Sequence, residues 1–313
     1  MPSRIVTLTL NPAVDIACNT ASVQPTHKNR TFGDRLDPGG GGINVARVVH
    51  ALGGDALALI MSGGITGRLI EELLDEVHLP WKALPVQGRS RLSLNVHDER
   101  SGLEYRFVPE GPAVSEAEWQ AALQALREVE AEWVVASGSL PPGVPTDFYA
   151  RAAEIAVSRN QRFALDTSGA ALRAALGHGI ELLKLSLREL ESVVARELPD
   201  DRSQEREAMG LVERGATRLV ALSLGEKGAV LVGKDVLIRM AAPTVSVRTA
   251  VGAGDSFLAG LVLGLSRGLP YFEALAYGTA AGAAAVTTFG TAHVDVAEVE
   301  RLYGELIKQH VRT

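Results

Sequence analysis

The sequence contains very little cysteine, since Cys18 is the only one in 313 residues. A disulfide framework and a cysteine-rich zinc site are therefore excluded, and a lone thiol is typical of a reducing, cytoplasmic compartment. The seven histidines are scattered and form neither an HxxxH nor an HxH pair. A histidine-based metal site consequently has little support.

Positive charge and long apolar runs are also scarce. Lys and Arg number 31 against 37 Asp and Glu, for a net charge of −6. A broad surface for nucleic acid or anionic membranes is therefore not expected, although a local basic pocket is allowed. No uninterrupted apolar run reaches the roughly 18 residues of a membrane span. The first residues also lack the pattern of a signal peptide.

Several familiar catalytic motifs are missing. The sequence contains no G-x-x-x-x-G-K-[ST], no H-R-D and D-F-G set, no G-x-S-x-G, and no strand followed by G-x-G-x-x-G. A P-loop NTPase and a protein kinase are excluded on these grounds. The length of 313 residues allows either about two domains or one large α/β domain.

Short apolar runs alternate with amphipathic segments along most of the chain. This alternation predicts βαβ units, a mostly parallel sheet and helices on both of its faces. The segment 253–309 is predicted to be almost wholly helical. Strands are predicted at 5–10, 56–61, 133–136, 162–166, 180–184 and 218–222, and helices at 66–77, 115–130, 146–158, 187–195 and 203–214.

Two stretches interrupt this rhythm. Residues 12–38 are polar and predicted to be irregular. Residues 89–108 alternate apolar and polar side chains around a turn signal at Ser101-Gly102, which predicts a half-exposed antiparallel hairpin. Together the two stretches suggest a small β layer that projects from the main domain. An ordinary edge hairpin explains the pattern equally well.

Two glycine-rich turns stand directly before helices. Gly39 to Gly42 lead into an apolar helix with Asn44 in its first turn. Backbone without Cβ atoms can approach a ligand closely, and the helix N-terminus offers free N–H groups. In Val251-Gly252-Ala253-Gly254-Asp255-Ser256 the small residues predict an anion hole. Asp255 beside it could accept a proton from an alcohol, although an acidic residue there also simply suits the helix dipole.

Weaker signals lie at strand ends and in the two interrupting stretches. Ser223 to Ala229 is a glycine-bearing turn, whereas Lys184 to Glu189 and Ala136 to Gly143 follow predicted strands. Ligands of open α/β sheets bind at the carboxyl ends of the strands. Basic side chains in the projecting stretches could clamp a phosphate, or could merely decorate the surface: Lys28, Arg30, Arg89, Arg91 and Arg106.

These motifs resemble the ribokinase-like (PfkB) carbohydrate kinase family. The order G-G-G-G-I-N-V-A-R, then S-G-S-L-P-P-G, then G-A-G-D-S carries the resemblance, which extends from Thr9 through Thr291. It implies a three-layer α/β/α fold with a mostly parallel central sheet and a small projecting β-sheet lid. It also implies one kinase domain over 1–313, with lid segments at about 12–38 and 88–110.

The resemblance further implies a role for each matching residue. Asp255 would deprotonate the sugar hydroxyl, and Gly252, Ala253 and Gly254 would hold the charge of the transferring phosphoryl group. Substrate would be bound by Asp15, Lys28, Gly39, Gly40, Asn44, Arg91, Arg106 and Ser139. The implied cofactors are ATP and Mg²⁺, with a monovalent cation also allowed. Nucleotide would be bound by Lys184, Ser186, Ser223, Gly225, Gly228 and Gly282, and magnesium would be ordered by Glu189 and Asp166.

Within the family, the opening T-L-N-P-A-V-D is similar to type II 6-phosphofructokinase, 1-phosphofructokinase and tagatose-6-phosphate kinase. The latter two typically carry Lys where this chain has Gly41, so the four-glycine loop favours the first. The implied activity is ATP-dependent phosphorylation of fructose 6-phosphate at its 1-hydroxyl, a glycolytic step in the cytoplasm. One of the other two phosphosugar kinases is an alternative, as is a non-catalytic regulator that binds sugar phosphate. A homodimer through the lid is implied by the resemblance only.

The chain departs from the family pattern on the nucleotide side. The pattern K-P-N-x-x-E reads Lys184-Leu185-Ser186-Leu187-Arg188-Glu189, so proline and asparagine are lost. Ala250 stands where a Thr is common, and Thr288-Phe289 replaces an Asn-Gln pair. We therefore expect altered nucleotide affinity or donor preference together with intact phosphosugar recognition.

Overall fold

The computed structural model describes residues 4–311, and the side chains of residues 4–309. Ten α-helices and thirteen strands are found in this part of the chain, and helices follow strands for most of its length. The strands are β1 Ile5–Thr9, β2 Ala13–Thr20, β3 Thr31–Gly39, β4 Ala56–Ser62, β5 Trp81–Pro85, β6 Arg91–Asp98, β7 Glu104–Phe107, β8 Trp133–Ser137, β9 Arg162–Asp166, β10 Leu182–Ser186, β11 Leu219–Ser223, β12 Ala229–Gly233 and β13 Val236–Met240. The helices are α1 Gly41–Ala51, α2 Gly64–Glu76, α3 Glu116–Glu128, α4 Phe148–Ser158, α5 Gly169–Ala175, α6 Leu187–Val194, α7 Asp201–Glu213, α8 Ala253–Ser266, α9 Tyr271–Ala285 and α10 Val296–Val311.

A nine-stranded sheet forms the centre of the protein. Its order is β13-β12-β11-β10-β9-β8-β1-β4-β5, and the strands from β11 to β5 run parallel, whereas β12 and β13 are antiparallel additions. The parallel strands read as apolar runs because both of their faces are covered. Their carboxyl ends meet at one edge of the sheet, where the candidate site lies.

Helices cover both faces of this sheet, as predicted. One apolar core contains side chains from α1, α2, α8, α9 and α10. The other contains side chains from α3 to α7. The protein is therefore a three-layer α/β/α structure with a mostly parallel sheet. No helix within residues 4–311 is long and apolar enough to cross a membrane.

A separate four-stranded sheet, in the order β3-β2-β6-β7, stands beside the main one. The predicted hairpin at 89–108 is confirmed by β6 and β7, which pair antiparallel. The prediction that 12–38 is irregular is wrong, because β2 and β3 lie within it and pair antiparallel around a bulge near Ala17 and Asn19. Their charged and polar side chains concealed the alternation that a half-exposed strand shows.

Other predicted elements match the structure to within a few residues, including the helical C-terminal third. The sequence does not predict β5, α5 and β13, and it indicates β12 only as a strand without bounds after the turn Ser223 to Ala229. Each of these is five to seven residues long. β5 and β13 are the edge strands of the main sheet and carry exposed positions, so they lack the continuous apolar run of the equally short strands that are predicted.

Candidate active site

Polar residues end several neighbouring strands at the same edge of the main sheet. Ser137 ends β8 and is paired in register with Asp166, which ends β9. Ser186 ends β10 and is paired with Ser223, which ends β11. The carboxyl edge of a parallel sheet is the usual place for a ligand, so these strand ends form the floor of the candidate site.

Asp255 lies above this floor in the first turn of α8. Its Oδ2 accepts a hydrogen bond of 2.9 Å from Nδ2 of Asn44, and its Oδ1 accepts one of 3.3 Å from Oγ of Ser137. Asn44 belongs to the first turn of α1, just after the four glycines. The predicted base and the predicted sugar loop therefore meet in one site.

The carboxyl of Asp255 is poised to exchange a proton near neutral pH. Burial, together with the nearby negative charge of Asp166, raises its pKa to about 6. The hydrogen bonds from Asn44 and Ser137 and the charge of Lys184 work in the opposite direction. A carboxylate with such a pKa is mostly ionised at pH 7 and still basic enough to take a proton from an alcohol as its bond to phosphorus forms.

The N-terminus of α8 has the free N–H groups that the predicted anion hole requires. The bond from Ser256 N to Gly252 O opens the helix, so the N–H groups of Gly254 and Asp255 lie at its unsatisfied end. Gly252 has a φ of 80°, and a Cβ there would come within 2.5 Å of the backbone nitrogen of Ala292. Glycine is therefore required at this turn, which aims the amides outward.

Lys184 brings a positive charge to the same helix end. Its Nζ donates a hydrogen bond of 2.9 Å to Oδ2 of Asp166, and both side chains are almost fully buried. A Cβ on Gly254 would lie 2.9 Å from that Nζ, so only glycine lets the ammonium come this close. Burial lowers the pKa of Lys184, but the charge and hydrogen bond of Asp166 and the charges of Glu189 and Asp255 together outweigh burial, so the pKa is raised. The ammonium stays charged at the mouth of the anion hole.

The glycine loop packs against the floor and the small sheet. A Cβ on Gly39 would overlap the Asp15 carboxylate, one on Gly40 would meet Thr9, and one on Gly41 would overlap Ser137. Burial raises the pKa of Asp15, whereas hydrogen bonds from Thr291 and Ser93 and the charges of Arg106 and Arg91 lower it. Asp15, Gly39, Gly40 and Asn44 are thus gathered on one side of Asp255.

The predicted phosphate-binding residues divide into two groups. Arg91 donates to the carbonyl oxygens of Asn11 at 2.9 Å and Pro109 at 2.8 Å. Asn11 in turn donates to Oγ of Ser139 at 3.2 Å, and Arg106 lies near enough to Asp15 to lower its pKa. Lys28 lies apart, on the exposed connection between β2 and β3.

The predicted nucleotide residues lie along β10 and β11. Ser186 caps α6, because its Oγ accepts a hydrogen bond of 3.3 Å from the backbone N–H of Glu189. Its own N–H and Oγ donate to Oε2 of Glu189, at 2.7 and 2.8 Å. Ser223 donates to the carbonyl of Leu185 at 3.3 Å. Gly225 and Gly228 shape the turn between β11 and β12 with positive φ values.

Gly282 lies further away on α9, where a Cβ would come within 3.2 Å of the Ala253 carbonyl. It therefore lets α9 approach the start of the anion-hole helix.

Two carboxylates in this region suit a metal that travels with nucleotide. Mg²⁺ is usually held by one or two carboxylates, water and substrate phosphates rather than by a protein cage. Asp166 and Glu189 fit that role, because they lie close enough for the charge of Glu189 to raise the pKa of Asp166. Residues 4–311 contain no group of three or more His, Cys, Asp or Glu placed to hold a metal alone.

Three contact residues were not singled out from the sequence. Ser137, rather than Ser139 in the same segment, contacts Asp255. Asn11 joins Arg91 and Ser139, and Thr291 binds Asp15. Asn11 and Ser137 both lie within motifs that the sequence analysis names. The alternation of side chains where a strand ends is the signal that could have indicated which residues of these motifs face the site.

Comparison with known proteins agrees with this geometry. The model of the "pfkB family carbohydrate kinase" matches residues 8–297. The chain is 43% identical to ATP-dependent 6-phosphofructokinase isozyme 2 of Mycobacterium tuberculosis, over 96% of this chain and 89% of that one. It is 37% identical to the isozyme 2 enzyme of Escherichia coli, over 97% and 99%. Crystal structures of phosphofructokinase-2 from Escherichia coli, with substrates and products and with potassium, match with a TM-score of 0.93 over 97% of this chain and 99% of that one. This chain therefore belongs to the pfkB family of carbohydrate kinases.

Proposed function

We propose that this protein transfers a phosphoryl group from ATP to the 1-hydroxyl of fructose 6-phosphate. The observation that carries the proposal is the 2.9 Å hydrogen bond between Asn44 and Asp255. This bond holds the proposed catalytic base, Asp255 at the start of α8, against the glycine loop that would face the sugar. The likeness to two 6-phosphofructokinases over nearly the whole chain supports the same substrate.

The proposed chemistry needs alignment and charge neutralisation rather than a covalent intermediate. The hydroxyl would lie against the Asp255 carboxylate, which Asn44 orients. Asp255 would accept its proton as the hydroxyl oxygen attacks the γ-phosphorus and the bond from that phosphorus to the bridging oxygen of ADP breaks. The free amides of Gly254 and Asp255 and the ammonium of Lys184 would stabilise the negative charge that develops on the phosphoryl oxygens. Gly252 and Ala253 would shape the turn, because the N–H of Ala253 already donates to the Ala250 carbonyl. Mg²⁺ bound with the nucleotide would neutralise further charge, and Asp166 and Glu189 would hold it in place.

The small sheet supplies the proposed substrate contacts. Asp15 would accept hydrogen bonds from sugar hydroxyls, while Arg91 and Arg106 would bind the 6-phosphate. Ser139, at the end of the Asn11 contact, would complete this side. Lys28 would contribute only if its connection moves over the site or a second subunit presents it. We propose that segments 12–38 and 88–110 act as a lid on a single kinase domain.

The glycine loop argues against the other phosphosugar kinases. A side chain at position 41 would overlap Ser137, a residue that hydrogen-bonds Asp255. The lysine typical of 1-phosphofructokinase and tagatose-6-phosphate kinase would therefore require Ser137 to shift from this position. A non-catalytic regulator is also disfavoured, because the base, the anion hole and the lysine are all in place.

On the proposed nucleotide side, the segment Lys184 to Glu189 differs from the family pattern K-P-N-x-x-E, with serine in place of asparagine. The hydroxyl of Ser186 caps α6 and donates to Glu189. A serine side chain also has no amide group that could bind nucleotide or metal. A cavity of about 280 Å³ opens beside it, lined by Ser186, Glu189, Arg173 and Arg188 among others. We propose that the donor phosphates enter at this end and bind less tightly than an asparagine there would allow. A monovalent cation near the anion hole is part of the same proposal, supported by the potassium complex of the Escherichia coli protein.

The small sheet also supports a homodimer. The polar face carries Asp15, whereas Leu36, Leu92 and Phe107 lie on the opposite face, with 41%, 46% and 59% of their surfaces exposed. Exposed clusters of this kind usually mark an interface. We propose that a second copy covers them and that the protein works in a reducing cytoplasm, as its single free thiol suggests.

A coupled assay for ADP release, run with a panel of sugar phosphates, tests the proposed function. The panel contains fructose 6-phosphate, fructose 1-phosphate, tagatose 6-phosphate and unphosphorylated fructose. We expect the highest kcat/KM with fructose 6-phosphate. A higher value with another sugar phosphate would assign one of the sister activities, and tight binding without turnover would establish the regulator.

A further inference from the structure

A buried ion pair lies beneath both halves of the site and belongs to neither predicted set. Asp37 on β3 is 3% exposed and Arg47 on α1 is 8% exposed. Oδ1 of Asp37 accepts a hydrogen bond from Nη2 of Arg47 at 3.4 Å and one from Nε of Arg35 at 3.0 Å. One side chain of the small sheet is thereby fixed to the helix that follows the glycine loop.

The same ion pair also hydrogen-bonds the segment 289–292, which follows α9. Oδ2 of Asp37 accepts a hydrogen bond from the backbone N–H of Thr291 at 3.0 Å, and Nη1 of Arg47 donates to the Thr291 carbonyl at 2.9 Å. Nη1 of Arg35 donates to the Phe289 carbonyl at 3.3 Å. Gly290 has a φ of 104°, and a Cβ there would come within 2.7 Å of Asp37. The segment is therefore shaped to receive this carboxylate.

Segment 289–292 touches both halves of the site. Thr291 lies beside Asp15 on the sugar side, because its N–H binds Asp37, the residue of β3 that pairs in register with Asp15. The side chain of Thr291 also lowers the pKa of the Asp15 carboxyl. Ala292, the next residue, packs against Gly252 at the start of the anion hole and donates to the Val251 carbonyl at 3.5 Å. A displacement of Thr291 must therefore disturb Asp15 and Gly252 together.

We propose that Asp37 is a positioning residue that couples the small sheet to the anion hole. Sugar phosphate that binds Asp15 would hold the small sheet in one position. Asp37 and Arg47 would then hold segment 289–292 in place through their hydrogen bonds to Thr291, and this segment would fix the turn at Gly252. A buried ion pair adds little net stability compared with apolar side chains, but its directed hydrogen bonds fix the register of the elements it joins. The inference rests on the proposed function, because it names how the two halves of that site communicate.

Coupling between two sites is measured as a ratio of affinities. Calorimetry gives the Kd of a non-hydrolysable ATP analogue with Mg²⁺, with and without saturating fructose 6-phosphate. For the unmodified chain we expect binding on the order of 5- to 150-fold tighter when the sugar phosphate is present. In Asp37→Asn we expect this ratio to fall towards one, while the Kd of the analogue alone changes less than about twofold. A merely structural role would lower the active fraction and leave the ratio unchanged.

Three further variants keep the test decisive. Arg35→Gln removes one contact to segment 289–292 from a half-exposed side chain, so it decides the question if Asp37→Asn fails to fold. Asp37→Glu retains the charge and should restore part of the ratio. Asp98→Asn is the matched control, because Asp98 is also a 3% exposed carboxylate of the small sheet but accepts hydrogen bonds from the nearby residues Val23, Arg100 and Ser101, none of which belongs to segment 289–292.

Each outcome either supports or overturns the inference. A ratio of one in the unmodified chain, or an unchanged ratio in folded Asp37→Asn or Arg35→Gln, overturns it. An equal fall in Asp98→Asn also overturns it, since any weakening of the sheet would then suffice. Absence of turnover with fructose 6-phosphate in the unmodified chain would instead remove the proposed function, so the two failures are distinguishable.

Discussion

The side-chain amide of Asn44 donates a 2.9 Å hydrogen bond to the carboxylate of Asp255, although 211 positions separate the two residues. Asn44 stands at the start of α1 and Asp255 at the start of α8, so two helix N-termini converge on one carboxylate. Both helices present unsatisfied N–H groups to the same space, which favours a negatively charged ligand there. This convergence joins the part of the site proposed to bind the sugar to the part proposed to stabilise the transferring phosphoryl group.

The pH dependence of activity should report the ionisation of Asp255. Its pKa of about 6 means that kcat/KM rises through pH 6 and falls about tenfold per unit below it. The substrate phosphate titrates in the same range, so one profile is insufficient. Ser137→Ala removes a hydrogen bond that lowers the pKa of Asp255, and we expect its acid limb to lie at higher pH. Identical limbs in both enzymes would assign the titration to the substrate.

Stability should change in the opposite direction to activity at Asp255. Burial raises the pKa of this carboxyl to about 6, so the cost of ionisation to folding develops between about pH 4 and pH 6 and is complete above pH 6. The cost disappears well below pH 4, where the folded and unfolded states are both protonated. Asp255→Asn should therefore raise the free energy of unfolding at pH 7.5 by on the order of 1–3 kcal/mol, and by much less at pH 4. Urea unfolding at the two pH values measures this difference.

Asp98→Asn serves as the opposite case in the same unfolding experiment. Hydrogen bonds from backbone N–H groups, the one from Val23 foremost, lower the pKa of Asp98. Its ionised form is therefore favoured by folding, and removing the charge should destabilise the protein at pH 7.5. If Asp255→Asn instead has a lower free energy of unfolding at pH 7.5 than the unmodified protein, ionised Asp255 does not destabilise the fold and the prediction is wrong.

Restoring an amide at position 186 should strengthen nucleotide binding. Asparagine caps a helix as well as serine does, so Ser186→Asn keeps α6 while adding a donor and an acceptor beside Glu189. We expect the KM for ATP to fall several-fold with the KM for fructose 6-phosphate unchanged. Steady-state kinetics with ATP and GTP measures this, and Asp200→Asn, at the cap of α7, is the control. An unchanged KM for ATP would refute the link between Ser186 and nucleotide affinity.

Charge on the apolar face of the small sheet should dissociate the proposed dimer. Phe107→Asp places a carboxylate beside exposed Leu92, and light scattering after gel filtration should show a shift from two chains to one. Leu237→Asp is the matched control, because Leu237 on β13 is 52% exposed but lies on the main sheet. A Phe107→Asp variant with the same mass as the unmodified protein would place the interface elsewhere or remove it.

Much of the architecture is predictable from local sequence, whereas contacts between distant residues are not. The glycine turns before α1 and α8 stand out because glycine and small residues directly precede apolar helices. Strands β2 and β3 do not stand out, because one of their faces carries charged residues such as Asp15 and Asp37 that imitate a loop. The meeting of Asp37 with Thr291, 254 positions away, depends on how the sheets pack.

The central claim is that Asp255 takes the proton of the sugar hydroxyl, and the kinetics of Asp255→Asn test it most directly. The variant keeps the shape of the side chain and removes the base, with Asp98→Asn as the control for loss of a carboxylate. We expect kcat with fructose 6-phosphate to fall on the order of 10²- to 10⁴-fold while the KM for the sugar changes little. Near-normal turnover by a folded Asp255→Asn enzyme would contradict the assignment.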